Sequence, residues 1–309
     1  MNNCVIFSGT ANVPLAEKIA DYMKKPLAKM EISRFTDGEI SIKIEENVRG
    51  KDVFIIQPTC PPVNENLMEL LIILDALRRA SPRRITSVIP YYGYARQDRK
   101  DRPRVPITAK LVANLLVAAG TQRILTMDLH APQIQGFFDI PVDHIFAAPV
   151  IVNYLTNKGF KNPVFVAPDV GSVKTARAFA KRMSAPLAIV DKRRDNPETV
   201  EAIHLIGDVR NKEAIIVDDL VSTGGTLVEA GKVLYENGAS KIIATCTHGV
   251  FSSNSLNKIS SSHISKLVVT DTIYHTQISP DIKILSVAQL LGEAIKNIHL
   301  ETSVSSLFI

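Results

Sequence analysis

The sequence predicts an α/β protein of two similar domains, each a mainly parallel sheet flanked by helices. Short runs rich in β-branched residues alternate with helical patterns along the chain. The second half repeats the order of these elements after about 160 residues. With 309 residues, of which 46% are hydrophobic, the chain is long enough for two cores. Because this alternation favours parallel sheets, ligand loops are expected at the carboxyl ends of the strands.

The repeat begins with a strand, a loop and a helix. In the first half, a strand at residues 4–7 precedes a helix at 14–24. In the second half, a strand at 164–166 precedes a helix at 173–183. The next strand is expected near residues 31–35 and, correspondingly, at 188–190. An ordered series of such matches indicates two copies of one domain.

The repeat continues through the rest of each half. The sequence VRGKD precedes a strand at 53–56, and VRNKE precedes a strand at 214–217. The following helix and the strands at 85–89 and 242–246 also correspond. We therefore place the first domain at residues 1–147 and the second at 148–309.

Composition restricts the class of partner. The net charge of +5 and the pI of about 9.0 are compatible with nucleic-acid binding, but no Lys/Arg-rich block has interleaved aromatics. The basic residues cluster at 96–104 and 192–194, which polyphosphate substrates explain better. The 22% of charged residues and the mean hydropathy of +0.10 are typical of a soluble globular protein. We expect no nucleic-acid partner.

The cysteines and the first residues bear on the compartment. The three cysteines, Cys4, Cys60 and Cys246, are scattered, which indicates a reducing compartment without a structural disulfide or zinc site. The opening MNNCVIFSGTAN has no basic region and too short an apolar run for a signal peptide. No apolar run is long enough to span a membrane. We therefore expect a cytoplasmic protein without a membrane partner.

One stretch, AIIVDDLVSTGGT at residues 214–226, has the features of an anion site. The strand at 214–217 leads into Asp218 and Asp219, then a glycine-rich loop, and a helical pattern from Leu227. Backbone N–H groups and the helix dipole attract a phosphate there, and glycines let the backbone approach it. No GKS or GKT is present, so this is not a nucleoside-triphosphate P-loop.

The acidic pair indicates that the ligand is more than a phosphate. Two carboxylates beside an anion site would repel the anion unless they also bind a sugar diol or a divalent cation. Ribose 5-phosphate carries a diol and a phosphate, which fits. The structural alternative is that Asp218 and Asp219 end a strand and cap a helix. The first copy has Gln57 and Pro58 at this point, so we expect no sugar-phosphate site there.

Other strand ends also carry polar residues. The sequence YARQDRK begins at Tyr94, His130 follows the strand near 126, and Asp169 lies in the loop PDVGS. Lys192 and Arg194 belong to a run of cations. Three of these have a structural alternative: the YARQDRK stretch could be a solvated basic loop, His130 a structural histidine, and the cation run a solvated charged loop. On one sheet edge with the sugar-phosphate loop, the cations would instead stabilise transition-state charge.

Together these stretches resemble the ribose-phosphate pyrophosphokinase family, of the phosphate-dependent class I. The resemblance runs nearly end to end. The Asp218 stretch by itself resembles the phosphoribosyl-diphosphate loop of type I phosphoribosyltransferase-like proteins, so the resemblance implies two tandem domains of that fold. The motifs that carry the resemblance are FSGTAN at Phe7, FTDGE at Phe35, YARQDRKDR at Tyr94, MDLHAPQIQGFFDIPVDH at Met127, DKRR at Asp191, VDDLVSTGGT at Val217 and SVSSLF at Ser303.

The resemblance implies a reaction and its site. In this family the C1 hydroxyl of ribose 5-phosphate attacks the β-phosphorus of ATP, AMP leaves, and 5-phospho-α-D-ribose 1-diphosphate is formed for nucleotide biosynthesis. Lys192 and Arg194 would be catalytic, and His130 and Asp169 would contact Mg²⁺. ATP would bind at Phe35, Asp37, Gly38, Glu39, Arg96 and Gln97. Ribose 5-phosphate would bind at Arg194, Asp218, Asp219, Ser222, Thr223, Gly224, Gly225 and Thr226.

The resemblance also implies regulation and assembly. Inorganic phosphate and ADP would act as effectors, and the chain would form a homo-oligomer, a hexamer. The implied effector site comprises Arg49, Ser81, Arg104, Ser303 and Ser305. Two positions depart from the pattern. Ser222 replaces a residue that is acidic in many relatives, and Ser306 replaces a common tyrosine, which weakens the expectation of an ADP response.

Two alternative functions remain open at this level. A nucleobase phosphoribosyltransferase shares the Asp218 loop but needs no paired ATP site, so FTDGE and YARQD speak against it. A non-catalytic regulatory subunit would keep the fold and lose catalytic residues, whereas Lys192, Arg194 and His130 are all present. The diphosphotransferase reading accounts for more of the sequence than either alternative.

Overall fold

The computed structural model describes residues 3–193, 202–252, 254–276 and 279–308. Its strands are β1 Cys4–Ser8, β2 Met30–Arg34, β3 Ile40–Ile44, β4 Asp52–Ile56, β5 Arg84–Ile89, β6 Arg123–Met127, β7 Val142–Ile145, β8 Pro163–Ala167, β9 Leu187–Arg193, β10 Ala202–Ile206, β11 Glu213–Val221, β12 Lys241–Gly249, β13 Lys266–Thr270 and β14 Ile282–Leu285. Its helices are α1 Val13–Met23, α2 Val63–Arg79, α3 Thr108–Ala119, α4 Ala148–Lys158, α5 Val173–Arg182, α6 Gly225–Glu236, α7 Ser255–Ser260 and α8 Ala288–His299. Short 3-10 turns cover Pro132–Phe137 and Ser305–Phe308.

The strands form two mainly parallel sheets and one hairpin. The first sheet has the order β1-β4-β5-β6-β7, and its neighbouring strands are parallel. The second has the order β10-β9-β8-β11-β12-β13-β14, in which β10 is antiparallel to β9 and the other pairs are parallel. Strands β2 and β3 pair separately in an antiparallel hairpin. The predicted α/β class, with parallel sheets flanked by helices, is confirmed.

The internal repeat is visible in the backbone. The order β1-β4-β5-β6-β7 recurs as β8-β11-β12-β13-β14. Left-handed residues recur at equivalent turns, Lys24 at φ 53° with Ser184 at φ 49°, and Gly50 at φ 71° with Asn211 at φ 59°. Gly50 N donates to Ser81 O at 3.1 Å, and Asn211 N donates to Gly238 O at 2.8 Å. Matched hydrogen bonds at unusual φ values support a duplicated domain rather than a chance likeness of βα units.

The chain divides into two compact units. The first contains residues 1–147, 272–274 and 286–309, and the second contains 148–271 and 275–285. Residues 286–309, which the sequence analysis assigned to the second domain, lie in the first unit. The C-terminal helix α8 is bonded to that unit: Tyr22 Oη donates to the Glu293 carboxylate at 2.9 Å, and Arg84 donates to the backbone oxygen of Ile298 at 2.9 Å.

Each unit has its own apolar core between a sheet and its helices. In the first unit, Leu70, Ile73 and Leu77 of α2 pack with Val53 and Ile55 of β4. The hairpin contributes apolar side chains from both of its strands to this core. In the second unit, the apolar face of α6 packs with β8, β11 and β12. Spacing at i, i+3 and i+4 puts the apolar residues of each helix on one face.

Two element boundaries differ from the sequence expectation. Strand β11 continues to Val221 because β12 pairs with it as far as Gly249. Asp218 and Asp219 therefore lie inside the strand, near its carboxyl end. Helix α6 begins at Gly225, two residues before the expected Leu227. The loop between them is therefore only Ser222, Thr223 and Gly224.

The strand near Glu31 also differs from its counterpart in the repeat. Strand β2 pairs with β3 outside the first sheet, whereas β9 joins the second sheet beside β8. The expected correspondence holds along the sequence but not in the sheet. None of the helices in the described part of the chain is both long and apolar enough to cross a membrane.

Candidate active site

Three aspartates converge at the carboxyl end of the second sheet. Ser172, the buried residue at the start of α5, lies between two of them: its Oγ is 2.8 Å from Asp218 Oδ1 and 3.0 Å from Asp169 Oδ1, and its single hydrogen can be donated to either oxygen. Ser172 N also donates to Asp169 Oδ1 at 2.9 Å. Asp218 Oδ1 accepts a further bond from Asp219 N at 3.0 Å. The loop after β8 and the end of β11 are thereby tied into one acidic cluster.

Burial and neighbouring carboxylates disfavour the ionised form of Asp218. Burial, followed by the charges of Asp219 and Asp169, raises the pKa of Asp218 to about 8. The hydrogen bond from Ser172 acts in the opposite direction without cancelling the rise. Neighbouring carboxylates that repel one another are stabilised by a cation or by a hydroxyl group that donates to them. The cluster is therefore suited to a metal ion, a sugar diol, or both.

The loop after the acidic cluster offers donors to an anion. Gly224 is the N-cap of α6, and as a glycine it brings no side chain to satisfy the first amides of the helix. Its φ of 77° lies in the left-handed region that favours glycine. Thr223 is exposed, and Ser222 and Thr226 are half-buried. A short loop with hydroxyls, leading into a helix N-terminus, suits a phosphate group.

The corresponding position in the first unit is filled by the protein itself. Gln57 follows β4 as Asp218 follows the core of β11, and its Nε2 donates to Glu69 Oε1 at 2.7 Å. Glu69 of α2 accepts two more bonds from Thr10, from N and from Oγ1, each at 2.7 Å. Gln57 Oε1 accepts from Ala11 N at 3.1 Å. Gln57 and Glu69 are both buried. The polar side chains at this strand end of the first unit are therefore bonded to one another and to the loop after β1.

The predicted adenine residues lie on the turn of the β2–β3 hairpin. Phe35 is 59% exposed, and Gly38 at φ 95° needs the conformational freedom of glycine. Asp37 Oδ1 accepts from Glu39 N at 3.1 Å, which shapes the turn. Arg34 ties the hairpin to α2 through Glu65 at 2.9 Å. The turn thus presents an exposed aromatic ring beside two exposed carboxylates.

Arg96 and Gln97 lie between β5 and α3, and both are exposed. Gln97 N donates to Tyr94 O at 2.9 Å, and Gln97 O accepts from Ala109 N at 3.2 Å. Tyr94 adopts a left-handed φ of 62° and bonds Asn64 through its hydroxyl. These bonds hold the turn against the first helical residues of α3, with Arg96 at its exposed side.

The predicted metal contacts fall in different units. His130 is exposed and follows β6 in the first unit, whereas Asp169 belongs to the second. The segment before His130 is anchored, because Leu129 N donates to His144 Nε2 at 2.9 Å and Asp128 Oδ2 accepts from Ala147 N at 2.9 Å. Over residues 3–193, 202–252, 254–276 and 279–308, no group of three or more His, Cys, Asp and Glu side chains is arranged to hold a metal ion.

The two predicted catalytic cations cannot be placed in full. The backbone of Lys192 belongs to β9, but its side chain and the whole of Arg194 lie outside the described part of the structure. Their predicted roles rest on the sequence.

The predicted effector residues lie in the first unit, and all five are exposed. The turns that carry Arg49 and Ser81 meet, since Gly50 N donates to Ser81 O at 3.1 Å. Arg104 has a left-handed φ of 63° on a different segment. Ser303 Oγ accepts from Ser305 N at 3.1 Å, so these two belong to one C-terminal turn. A backbone bond therefore joins the turns that carry Arg49 and Ser81, and a side-chain bond joins Ser303 with Ser305.

Sequence reasoning missed Ser172 and Glu69, and it named Gln57 without the bonds that Gln57 makes. Ser172 joins two aspartates, and the signal for it was its place before a helical pattern in PDVGS, where a serine is expected to cap. Gln57 and Glu69 form the internal network of the first unit. Glu69 carried no usable signal, because a carboxylate on an amphipathic helix normally faces solvent.

Comparisons with known proteins agree with this architecture. Residues 4–120 match a family model described as the N-terminal domain of ribose phosphate pyrophosphokinase, and residues 192–309 match one described as the phosphoribosyl synthetase-associated domain. Ribose-phosphate pyrophosphokinase of Campylobacter jejuni is 53% identical over 309 residues, covering 100% of both chains. The protein of that name from Thermotoga maritima is 53% identical, covering 99% of this chain and 98% of its own.

A solved structure extends the likeness to three dimensions. The crystal structure of phosphoribosylpyrophosphate synthetase from Mycobacterium smegmatis matches with a TM-score of 0.91 and 38% sequence identity, over 97% of this chain and 99% of that one. Near-complete coverage on both sides means that the match extends over both units and not only over the sugar-phosphate loop. On these grounds the chain belongs to the ribose-phosphate pyrophosphokinase family.

Proposed function

We propose that this chain transfers the diphosphoryl group of ATP to the C1 hydroxyl of ribose 5-phosphate, giving 5-phospho-α-D-ribose 1-diphosphate and AMP. The observation that carries the proposal is the cluster of Asp169, Asp218 and Asp219, followed within a few residues by the N-terminus of α6. The aspartates suit the sugar hydroxyls and a cation, and the loop suits the 5-phosphate. The stretch from Asp218 to the first turn of α6 thus has groups suited to the hydroxyls of ribose 5-phosphate and groups suited to its phosphate.

Each group of residues has its own proposed role in the reaction. Asp218 and Asp219 would orient the ribose hydroxyls, and Ser222, Thr223 and the first amides of α6 would hold the 5-phosphate. The exposed Phe35 would stack on adenine while Asp37 and Glu39 bond its edge, and Arg96 and Gln97 would bind the phosphates and the adenosine. Because the transition state for phosphoryl transfer is loose, positioning and neutralised charge contribute more than covalent help.

The carboxylate oxygens of the acidic cluster are suitable ligands for a hard divalent cation that also binds substrate phosphates. Neighbouring carboxylates raise the pKa of Asp218, so positive charge close to them is favourable. Mg²⁺ typically binds through one or two carboxylates together with substrate phosphates. We propose Mg²⁺ as the cation, with His130 and Asp169 among its contacts as the family resemblance implies. The ion would neutralise charge on the transferred phosphates.

AMP release from ATP tests the reaction. With Mg²⁺, AMP should form only when ribose 5-phosphate is present, whereas an ordinary kinase would release ADP. Ribose, which lacks the 5-phosphate, is the matched control and should give no AMP. Release of ADP, or of AMP independent of the sugar, would contradict the proposed reaction.

The role of Lys192 can be tested separately. Lys192→Ala should lower kcat by about 10²–10³-fold, since a group that acts on transition-state charge has been removed. The affinity for ribose 5-phosphate, measured by calorimetry, should change little. Lys158→Ala, at an exposed lysine in α4, is the control. Full turnover in the Lys192 variant would refute the assignment.

Effectors and assembly complete the proposal. We infer that inorganic phosphate activates and ADP inhibits through Arg49, Ser81, Arg104, Ser303 and Ser305, and that the chain assembles as a homohexamer in the cytoplasm. The basic and hydroxyl side chains of the set suit a phosphate. AMP release should rise when phosphate is added, and Arg49→Ala should abolish that rise while leaving phosphate-free activity in place. Sedimentation velocity tests the oligomer.

A further inference from the structure

The sugar-phosphate loop is attached to a segment that follows β12. We call residues 250–252 and 254–259 the brace. Two of its amides, of Val250 and Phe251, donate to Val221 O at 2.8 and 3.1 Å. Ser252 makes two bonds to one acceptor, because its N donates to Ser222 O at 3.0 Å and its Oγ donates to the same oxygen at 3.2 Å. The brace therefore holds the first carbonyl of the loop.

Holding that carbonyl also orients the next amide. In a trans peptide the C=O and the following N–H point in opposite directions. The bonds from Ser252 to Ser222 O thus turn the Thr223 N–H away from the brace. Because the N–H of Thr223 is one of the donors expected at the 5-phosphate, the position of Ser252 decides where that donor points.

The brace supports the other end of the loop through packing. Ile259, a buried residue of α7, lies under Gly224, and a Cβ at Gly224 would come within 3.1 Å of Ile259 Cγ1. Ser255 N donates to Ser252 O at 3.0 Å, which joins the two parts of the brace. The loop is consequently held at both of its ends by one segment.

The segment after β4 in the first unit is joined to its neighbour by bonds in both directions. There Thr59 donates from N to Tyr91 O at 2.9 Å and from Oγ1 to the same oxygen at 3.3 Å, and Thr59 Oγ1 accepts from Gly93 N at 2.7 Å. In the second unit the brace supplies the donors, and the Ser222 carbonyl of the loop accepts them.

We propose that Ser252 is a positioning residue for the 5-phosphate, acting through the Ser222 carbonyl. The inference rests on the proposed function of the loop. It predicts that the Ser252 hydroxyl contributes to the binding of ribose 5-phosphate and not to the binding of ATP or to overall folding.

Three variants test the proposal. Ser252→Ala should raise the KM for ribose 5-phosphate by about three- to tenfold, the range expected for one hydrogen bond, and leave kcat, the KM for ATP and Tm close to those of the wild type. Ser252→Thr keeps the hydroxyl and should restore the wild-type KM. Ser265→Ala is the control, because Ser265 Oγ makes a comparable bond to Ile242 O, at 2.7 Å, at the opposite end of β12.

The outcomes separate this inference from the proposed function. If the wild type releases AMP but Ser252→Ala leaves the KM for ribose 5-phosphate unchanged, the positioning role is wrong. It is also wrong if both KM values rise together, or if Ser265→Ala has the same effect. A wild type that releases no AMP would contradict the proposed function, and calorimetry with ribose 5-phosphate would still decide the role of Ser252: weaker binding by Ser252→Ala supports it, and equal binding overturns it.

Discussion

The two units carry different polar side chains at corresponding strand ends. In the first, Gln57 and Glu69 satisfy each other and the backbone of the neighbouring loop, and both are buried. In the second, Asp218 meets Asp169 and Asp219, and the pKa of Asp218 rises to about 8. The five strands that the two units share follow the same order. The same fold therefore brings mutually repelling carboxyl groups together at one strand end and an internally bonded Gln57–Glu69 pair at the other.

The largest effect is expected on replacing a carboxyl group of the acidic cluster in the second unit with an amide. Asp218→Asn should lower kcat/KM for ribose 5-phosphate by about 10²–10³-fold, comparable with the loss of one preorganised polar group at an active site. Steady-state AMP release measures it. The matched control is Gln57→Asn at the equivalent strand end, which should leave catalysis intact. Comparable losses in both variants would show that the two strand ends are not functionally distinct.

The opposite behaviour is expected in the first unit. Glu69→Ala removes the acceptor of Thr10 N, Thr10 Oγ1 and Gln57 Nε2, so the free energy of unfolding should fall by about 3 kcal/mol. Urea denaturation measures the change. Glu65→Ala, which breaks the exposed pair with Arg34, should cost much less. A Glu69 variant with wild-type stability would mean that the internal network is not what fills this strand end.

Two glycines in corresponding loops, although not at the same position of the repeat, sharpen the comparison. A Cβ at Gly9 would lie 2.3 Å from Gln57 Oε1 and 2.9 Å from Glu69 Oε1, inside a buried network that cannot move aside. Gly9→Ala should therefore cost about 1–3 kcal/mol of unfolding free energy. Gly171 lies in the corresponding loop of the second unit, where the nearest atom, Asp169 Oδ1, is 3.2 Å from the built Cβ. Gly171→Ala should lower the free energy of unfolding by about 0.5 kcal/mol or less. Equal losses in Gly9→Ala and Gly171→Ala, measured by urea denaturation, would contradict the proposed difference in packing between the two loops.

The smallest effect concerns stability against pH. Asp218 keeps its proton in the folded state up to about pH 8, whereas its ordinary pKa is 3.8, so the folded state binds more protons and stability falls as pH rises between these values. Relative to the wild type, Asp218→Asn should gain a few degrees of Tm between pH 4.5 and pH 8.5, measured without Mg²⁺.

In the control variant the carboxyl group that is replaced has a lowered pKa and not a raised one. Lys212 lowers the pKa of the exposed Asp208, so that carboxylate adds stability above its ordinary pKa and loses it as pH falls. Asp208→Asn should therefore show no gain at high pH. A flat Tm difference for Asp218→Asn across the pH range would indicate that the acidic cluster is not strained by its own charge.

Much of the fold was predictable because its signals are local. Apolar runs, turn residues and helical periodicity lie within single elements, so the parallel class and the repeat could be inferred from the residues alone. The acidic pair and the glycine loop of the second unit were likewise visible as adjacent residues, although the ends of β11 and α6 were not. Pairing with β12 extends the strand past Val217, and this depends on a neighbour that the local pattern does not include.

The sequence by itself determined where the polar residues stand along each strand, and hence which copy has the acidic pair. Only the tertiary structure decided what those residues meet. Ser172 reaches Asp218 across 46 residues, Thr10 reaches Glu69 across 59, and Tyr22 reaches Glu293 across 271. Such contacts depend on the packing of whole elements. That packing brings Ser172 together with Asp169 and Asp218, places Glu69 at the counterpart of this strand end, and assigns α8 to the first unit.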